Sequence, residues 1–108
     1  MALATLALSP ICPHGELPLP ANAIGPAAAT ALRREDPKTR PLVVSTTLAS
    51  RDTERGPEAK RQCGSLVWSR TVVVYVDLRA FHPSASLSER VDFVSRFRTG
   101  WRVWEVVH

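Results

Sequence analysis

No lysine or arginine precedes Arg33, no aromatic residue precedes Trp68, and no apolar run approaches the roughly twenty residues that span a bilayer. The last absence excludes a membrane-spanning helix. The first argues against a secretory signal in the mildly apolar stretch Ala2 to Ile11, which is also interrupted by Pro10 and followed by Pro13. Ala21-Asn22-Ala23 has the small-x-small form of a cleavage site, but it lies too far from that stretch. The expectation is therefore an intracellular protein, cytoplasmic or nuclear, with secretion disfavoured. Only two cysteines are present, Cys12 and Cys63, so one disulfide is the maximum and a multiply stapled mini-protein is excluded.

The signatures of familiar chemistry are missing too. Five glycines form no phosphate-cradling loop, and no serine lies in a Gly-x-Ser-x-Gly elbow. Zinc sites announce themselves by paired ligands at short spacing. Here His14, His82, His108, Cys12 and Cys63 offer only Cys12 and His14 as a close pair, split by Pro13. No metal and no cofactor is expected. Lys60 and Arg61 beside Cys63 would lower a thiol pKa, which concerns reactivity and not catalysis. Asp77, at the end of a long apolar run, stands where catalytic carboxylates often sit, yet a surface residue closing a strand explains it equally well. The sequence does not read as an enzyme.

What is present divides the chain. Eight of the nine prolines lie before Arg61, and all seven aromatic residues lie between Trp68 and Trp104. Proline disrupts helices and sheet ladders, whereas aromatic side chains supply the largest buried areas. Residues 1–40 accordingly read as a flexible Pro/Ala-rich leader, in which Ala27 to Arg34 has at most two turns of marginal helix. Residues 41–108 read as a small α+β domain, with a three-stranded sheet and one helix in the order β-β-α-β.

Within that domain, Leu42 to Leu48 is β-branched and follows Pro41, as a first strand would. Ser50 to Gln62 mixes both charge signs around Gly56-Pro57 and reads as a solvated loop. Leu66 to Leu78 is the best strand, and its centre Val72 to Val76 is apolar at every position, as when both faces are covered. After a turn at Phe81-His82-Pro83, Ser86 and Glu89 have the spacing of a capping box. Leu87, Val91, Val94 and Phe97 then fall on one helical face, with Gly100 as the stop and Trp101 to Val107 as the last strand. Strands joined through that helix would be parallel, with a right-handed crossover.

Charge carries the functional expectation. The net charge is +4, and twelve of the fourteen basic residues are arginine, the residue suited to bidentate phosphate or carboxylate contact. Arg90, Arg96, Arg98 and Arg102 interleave with Phe93, Phe97, Trp101 and Trp104. Arginine for phosphates with Trp101 and Trp104 for stacking is the pattern that RNA contacts use. Against it, a helical wheel sends Arg90, Arg96 and Arg98 in separate directions, and a small core needs those aromatics. The leading expectation is a small basic non-enzymatic interaction protein whose partner is RNA or an acidic protein surface. Viral accessory products such as silencing suppressors and movement factors share that general character. The alternatives are an open reading frame product with no selected biochemical role, suggested by the excess of Ala, Pro and Arg, and a small enzyme without a recognisable site.

Overall fold

Alanines four residues apart allow the first helix to lie close against a sheet. In the computed structural model, which describes residues 11–108, α1 spans Ile24–Arg34. Ala23, Ala27 and Ala31 form its buried stripe, each at most 1% exposed. Alanine has the highest helix propensity, and its small side chain brings the helix axis near the strands. Thr30 Oγ1 donates to the Pro26 carbonyl at 2.8 Å. Arg33 and Arg34 stand in the last turn, where the helix dipole favours positive charge.

Four strands follow: β1 Pro41–Leu48, β2 Val72–Leu78, β3 Glu89–Phe97 and β4 Gly100–Val107. They form one antiparallel sheet in the order β1-β2-β3-β4. A second helix, α2 (Gly56–Ser69), lies between β1 and β2, and a one-turn helix, α3 (Ala85–Ser88), precedes β3. Short 3-10 turns occupy Pro37–Thr39, Ala49–Arg51 and Arg79–Phe81. None of the described helices is long and apolar enough to cross a membrane.

The two long helices cover opposite faces of the sheet. Val72, Val74, Val76 and Leu78 of β2 and Val94 of β3 meet the alanine stripe of α1. Val73 of β2 and Val91 and Phe93 of β3 meet Ala49 and Ala59, with Trp68, Tyr75, Trp104 and Val107 packed around them. This explains why Val72 to Val76 carries no polar side chain apart from the Tyr75 hydroxyl. That hydroxyl donates to Asp52 Oδ2 at 2.7 Å. Asp52 Oδ1 in turn accepts from the backbone N–H of Glu54 (2.8 Å), Arg55 (2.7 Å) and Gly56 (3.4 Å), holding the start of α2. Burial raises the Asp52 carboxyl pKa, but these four donors outweigh it and leave the group below the ordinary range. Gly56 belongs at this point because a Cβ there would collide with the Ala49 carbonyl.

An α+β fold is what the sequence implies, but several of its finer expectations change. The flexible leader does not hold for residues 11–40, because α1 covers one whole face of the sheet. An alanine stripe has little intrinsic apolar weight, and it becomes helical by packing on Val72, Val74 and Val94. Residues 1–10 of that leader, and with them the signal-like stretch except Ile11, lie outside the described residues. Ser50 to Gln62 is not a loop throughout. Pro57 stands in the first turn of α2, and the mixed charges are its solvated side. That helix also takes Leu66 to Ser69 from the expected strand, after a kink at Gly64, whose φ is +88°.

The largest correction concerns residues 86–97, the expected helix: only Ser86 to Ser88 are helical, within α3, while Glu89 to Phe97 form β3 and make the sheet four-stranded. Val91 to Ser95 are buried without a break, so apolar residues stand at both helical and strand spacings, and periodicity alone does not separate the two. Their β-branched and aromatic content suits a strand. Ser84, not Ser86, caps the short α3 by accepting from the Leu87 N–H at 3.4 Å, while Glu89 pairs across the ladder with Asp77. The expected parallel crossover is replaced by an antiparallel turn at Arg98-Thr99, closed by Phe97 opposite Gly100.

One buried group departs from the apolar pattern. Asp92, on the α1 face of β3, has 0% exposure, and neither carboxylate oxygen has a hydrogen-bond partner among the described residues. Burial pushes its pKa up to about 6, with Arg34 and Arg90 pulling it down and Glu35 adding to the rise.

Candidate nucleic-acid interface

The turn between β3 and β4 decides which arginines meet. Ser95 stands opposite Arg102, Arg96 opposite Trp101 and Phe97 opposite Gly100, with Arg98 and Thr99 forming the tip. Gly100 adopts a φ of +123°, a conformation that a side chain would strain. Arg96, Arg98 and Arg102 are all exposed, and they fall within three ladder positions of the tip. Among the described residues none of the three forms an ion pair with a carboxylate. Cross-strand pairing thus collects charges that a helix would have spread around its circumference.

Alternation along the strands divides the flanking groups between the two faces. Trp101 is half-buried and rests against the apolar cluster beneath α1, on the same face as its partner Arg96. The Arg102 guanidinium sits on the other face, 4.1 Å from the centre of the Phe97 ring. That cation–π contact orients Arg102 without neutralising it.

Trp104 and Arg90 are placed differently. The Trp104 ring packs on Phe93, with centroids 5.3 Å apart, and its Nε1–H donates to Ser95 Oγ at 3.0 Å. Ser95 Oγ lies 3.3 Å from Thr71 Oγ1, which donates to the Val67 carbonyl at 2.7 Å. Each hydroxyl has one proton, so the chain has a single direction: Trp104 to Ser95, Ser95 to Thr71, Thr71 to Val67. Ser95→Ala should leave both the indole N–H and the Thr71 oxygen short of a partner, costing about 2 kcal/mol. A urea titration checks this, and an unchanged midpoint would contradict the relay. Arg90 is six residues down β3 from Arg96, roughly 20 Å at strand rise. There its Nη1 donates to Glu35 Oε1 at 3.3 Å. The structure therefore places Arg96, Arg98, Arg102 and Trp101 at one end of the sheet, with Arg96 and Trp101 on one face and Arg102 on the other, and leaves Arg90 and Trp104 in fold-supporting contacts.

Arg70 joins the basic end, and sequence reasoning did not single it out. It precedes Thr71 and Val72, and Val72 pairs with Val94, which puts Arg70 at the Arg96 end of the ladder. Its Nη1 donates to the Glu16 carbonyl at 2.9 Å. No spacing in the sequence signals this, because the neighbourhood arises from pairing between β2 and β3.

The opposite end of the sheet carries a pocket of about 650 Å³ whose lining includes Tyr75, Asp77, His82, Glu89 and Arg90. Asp77 holds His82 Nε2 at 2.8 and 2.9 Å from its two oxygens, so its strand-end position is explained by this pair. Burial and the neighbouring Asp52 carboxylate raise the Tyr75 phenol well above its ordinary range and keep it protonated. Among the described residues no group of three His, Cys, Asp or Glu side chains is arranged to hold a metal. Cys63, flanked by basic residues, is not a free thiol: it forms a disulfide with Cys12, with Cα atoms 5.5 Å apart.

Comparison with protein-family models, curated proteins and solved structures finds no match for this chain.

Proposed function

We propose that this protein is a small, basic, non-enzymatic RNA-binding protein acting inside the cell, with the β3–β4 hairpin end as its interface. Arg96, Arg98 and Arg102 supply the phosphate contacts, and the half-buried Trp101 supplies the ring on which a base stacks. The observation that carries the reading is the gathering of three exposed arginines at one turn, without carboxylate partners among the described residues. Guanidinium groups left unneutralised beside aromatic rings suit single-stranded RNA, where phosphates and unstacked bases alternate. Arg102 is oriented in advance by Phe97, which lowers the ordering cost of engaging a phosphate. Arg90 and Trp104 are left out of this interface because Glu35 and Ser95 already engage them.

The test is fluorescence anisotropy of a labelled single-stranded RNA at several salt concentrations. Replacing Arg98 and Arg102 together by Gln should weaken binding regardless of base sequence. It should also flatten the plot of log affinity against log salt by about 1.4, roughly 0.7 for each phosphate of a single strand that is no longer neutralised. Circular dichroism establishes that the double variant is folded. Unchanged affinity and slope in the folded variant would overturn the reading. Retention of an acidic protein with no affinity for RNA would reassign the same arginines to a carboxylate-rich surface.

A further inference from the structure

The segment in front of α1 crosses the basic end of the sheet. Leu17 N–H donates to the Arg96 carbonyl at 2.7 Å, on β3 just beyond the Val72–Val94 pair where β2 begins. Arg70 reaches the Glu16 carbonyl at 2.9 Å, and Glu16 is itself only 8% exposed. Ile11 and Pro13 share a cleft of about 240 Å³ with Phe97, Arg102, Val103 and Trp104. Residues 11–17 therefore lie along the same hairpin end that gathers the free arginines. What ties them there is largely one covalent link. Cys12 is bonded to Cys63 on α2, and the rest of the segment is held by the two hydrogen bonds just named and by little apolar burial. Ile11 is 78% exposed.

We propose that residues 11–17 are a strap over the hairpin end, latched by the Cys12–Cys63 disulfide and released when it is reduced. The inference rests on the RNA-binding reading for its functional consequence, but not for the release itself. The step is a two-electron thiol–disulfide exchange. A thiolate of an external dithiol attacks one sulfur, the Cys12–Cys63 bond breaks, and the departing sulfur leaves as a thiolate that takes a proton. The second thiol of the reductant then resolves the mixed disulfide, leaving Cys12 and Cys63 as thiols and the reductant oxidised. Both cysteines are half-buried rather than enclosed, so an exchanging thiol has access. Once released, the strap frees the Arg70 side chain from the Glu16 carbonyl and opens the cleft beside Phe97 and Arg102. The reduced form is thus the one with the larger basic-aromatic surface, and it is the form that a cell interior favours.

The experiment compares the full-length oxidised protein with the same protein reduced by dithiothreitol, and with Cys12→Ser as a latch-free form. Hydrogen exchange is followed at the Leu17 amide and across Val72 to Leu78, and anisotropy is measured on a labelled single-stranded oligouridylate. Reduction should leave the Leu17 amide exchanging at least tenfold faster than the β2 amides, which exchange only as the whole fold opens, and should tighten RNA binding several-fold, with Cys12→Ser matching the reduced protein. Leu17 exchange that does not change on reduction would overturn the strap. Exchange of Leu17 and the β2 amides at one common rate in the reduced protein would overturn it as well, since the segment would then open only with the whole fold and not as a strap. Release with equal RNA affinity in both forms would overturn control of the interface. Release with no RNA binding in any form would uphold the latch and reject the RNA reading instead.

Discussion

Asp92→Asn should make the protein more stable at pH 7, by about 3 kcal/mol, and should make little difference near pH 4. The native carboxyl has its pKa pushed up to about 6, from 3.8 for the unhindered group. The native state therefore holds the proton more tightly than the unfolded chain does. Well below pH 4 both states are protonated and the group costs nothing beyond its burial, and at pH 4 itself the partial ionisation of the unfolded chain amounts to only about 0.5 kcal/mol. As pH rises through that window the unfolded chain releases its proton first, and stability falls until the native group also ionises near 6. Above that the full deficit remains, and a neutral isostere removes it. Urea denaturation of parent and variant at pH 4 and pH 7 measures the difference. Equal stabilisation at both pH values would mean that packing, not charge, explains the effect.

Reducing the disulfide should move stability further, and in the opposite direction. Cys12 and Cys63 are 51 residues apart. Opening a loop of that size returns about 4 kcal/mol of chain entropy to the unfolded state. For a chain of this length that corresponds to a fall in melting temperature on the order of 15 °C. Single domains are commonly stable by about 5–15 kcal/mol, so the reduced protein is expected to stay folded, with a narrower margin. Thermal melts with and without reductant check this, and coincident curves would show that the link restrains only residues that move freely in both states.

Much of the sheet is legible in the sequence. Pro41 to Leu48 and Gly100 to Val107 fall close to where Leu42 to Leu48 and Trp101 to Val107 suggest strands. The unbroken apolar run Val72 to Val76 correctly implies a strand covered on both faces. That same covering misleads in the next segment. When both faces of Val91 to Ser95 are buried, the alternation that marks a strand disappears, and Leu87, Val91, Val94 and Phe97 imitate a helical stripe. The first helix is undervalued for a related reason. Alanines contribute little by themselves, and only a valine surface more than forty residues away makes them a core. The arginines of the candidate interface are legible as residue types. Their grouping is not, because it depends on the Arg98-Thr99 turn: the same side chains diverge on a helix and converge on a hairpin.

The connection order of the fold also sets a schedule for the growing chain. α1 is synthesised before every strand it rests on, and its partners include Val94 in the third strand. As it leaves the ribosome it is an eleven-residue alanine-rich segment with nothing to cover its apolar stripe. A helix of that length does not hold by itself in water. The β3–β4 hairpin, by contrast, is joined by two residues and closes as soon as it emerges. This helix, made before the strands, is therefore completed after them, and until then the valine face of β2 stands open to chaperones or to other nascent chains.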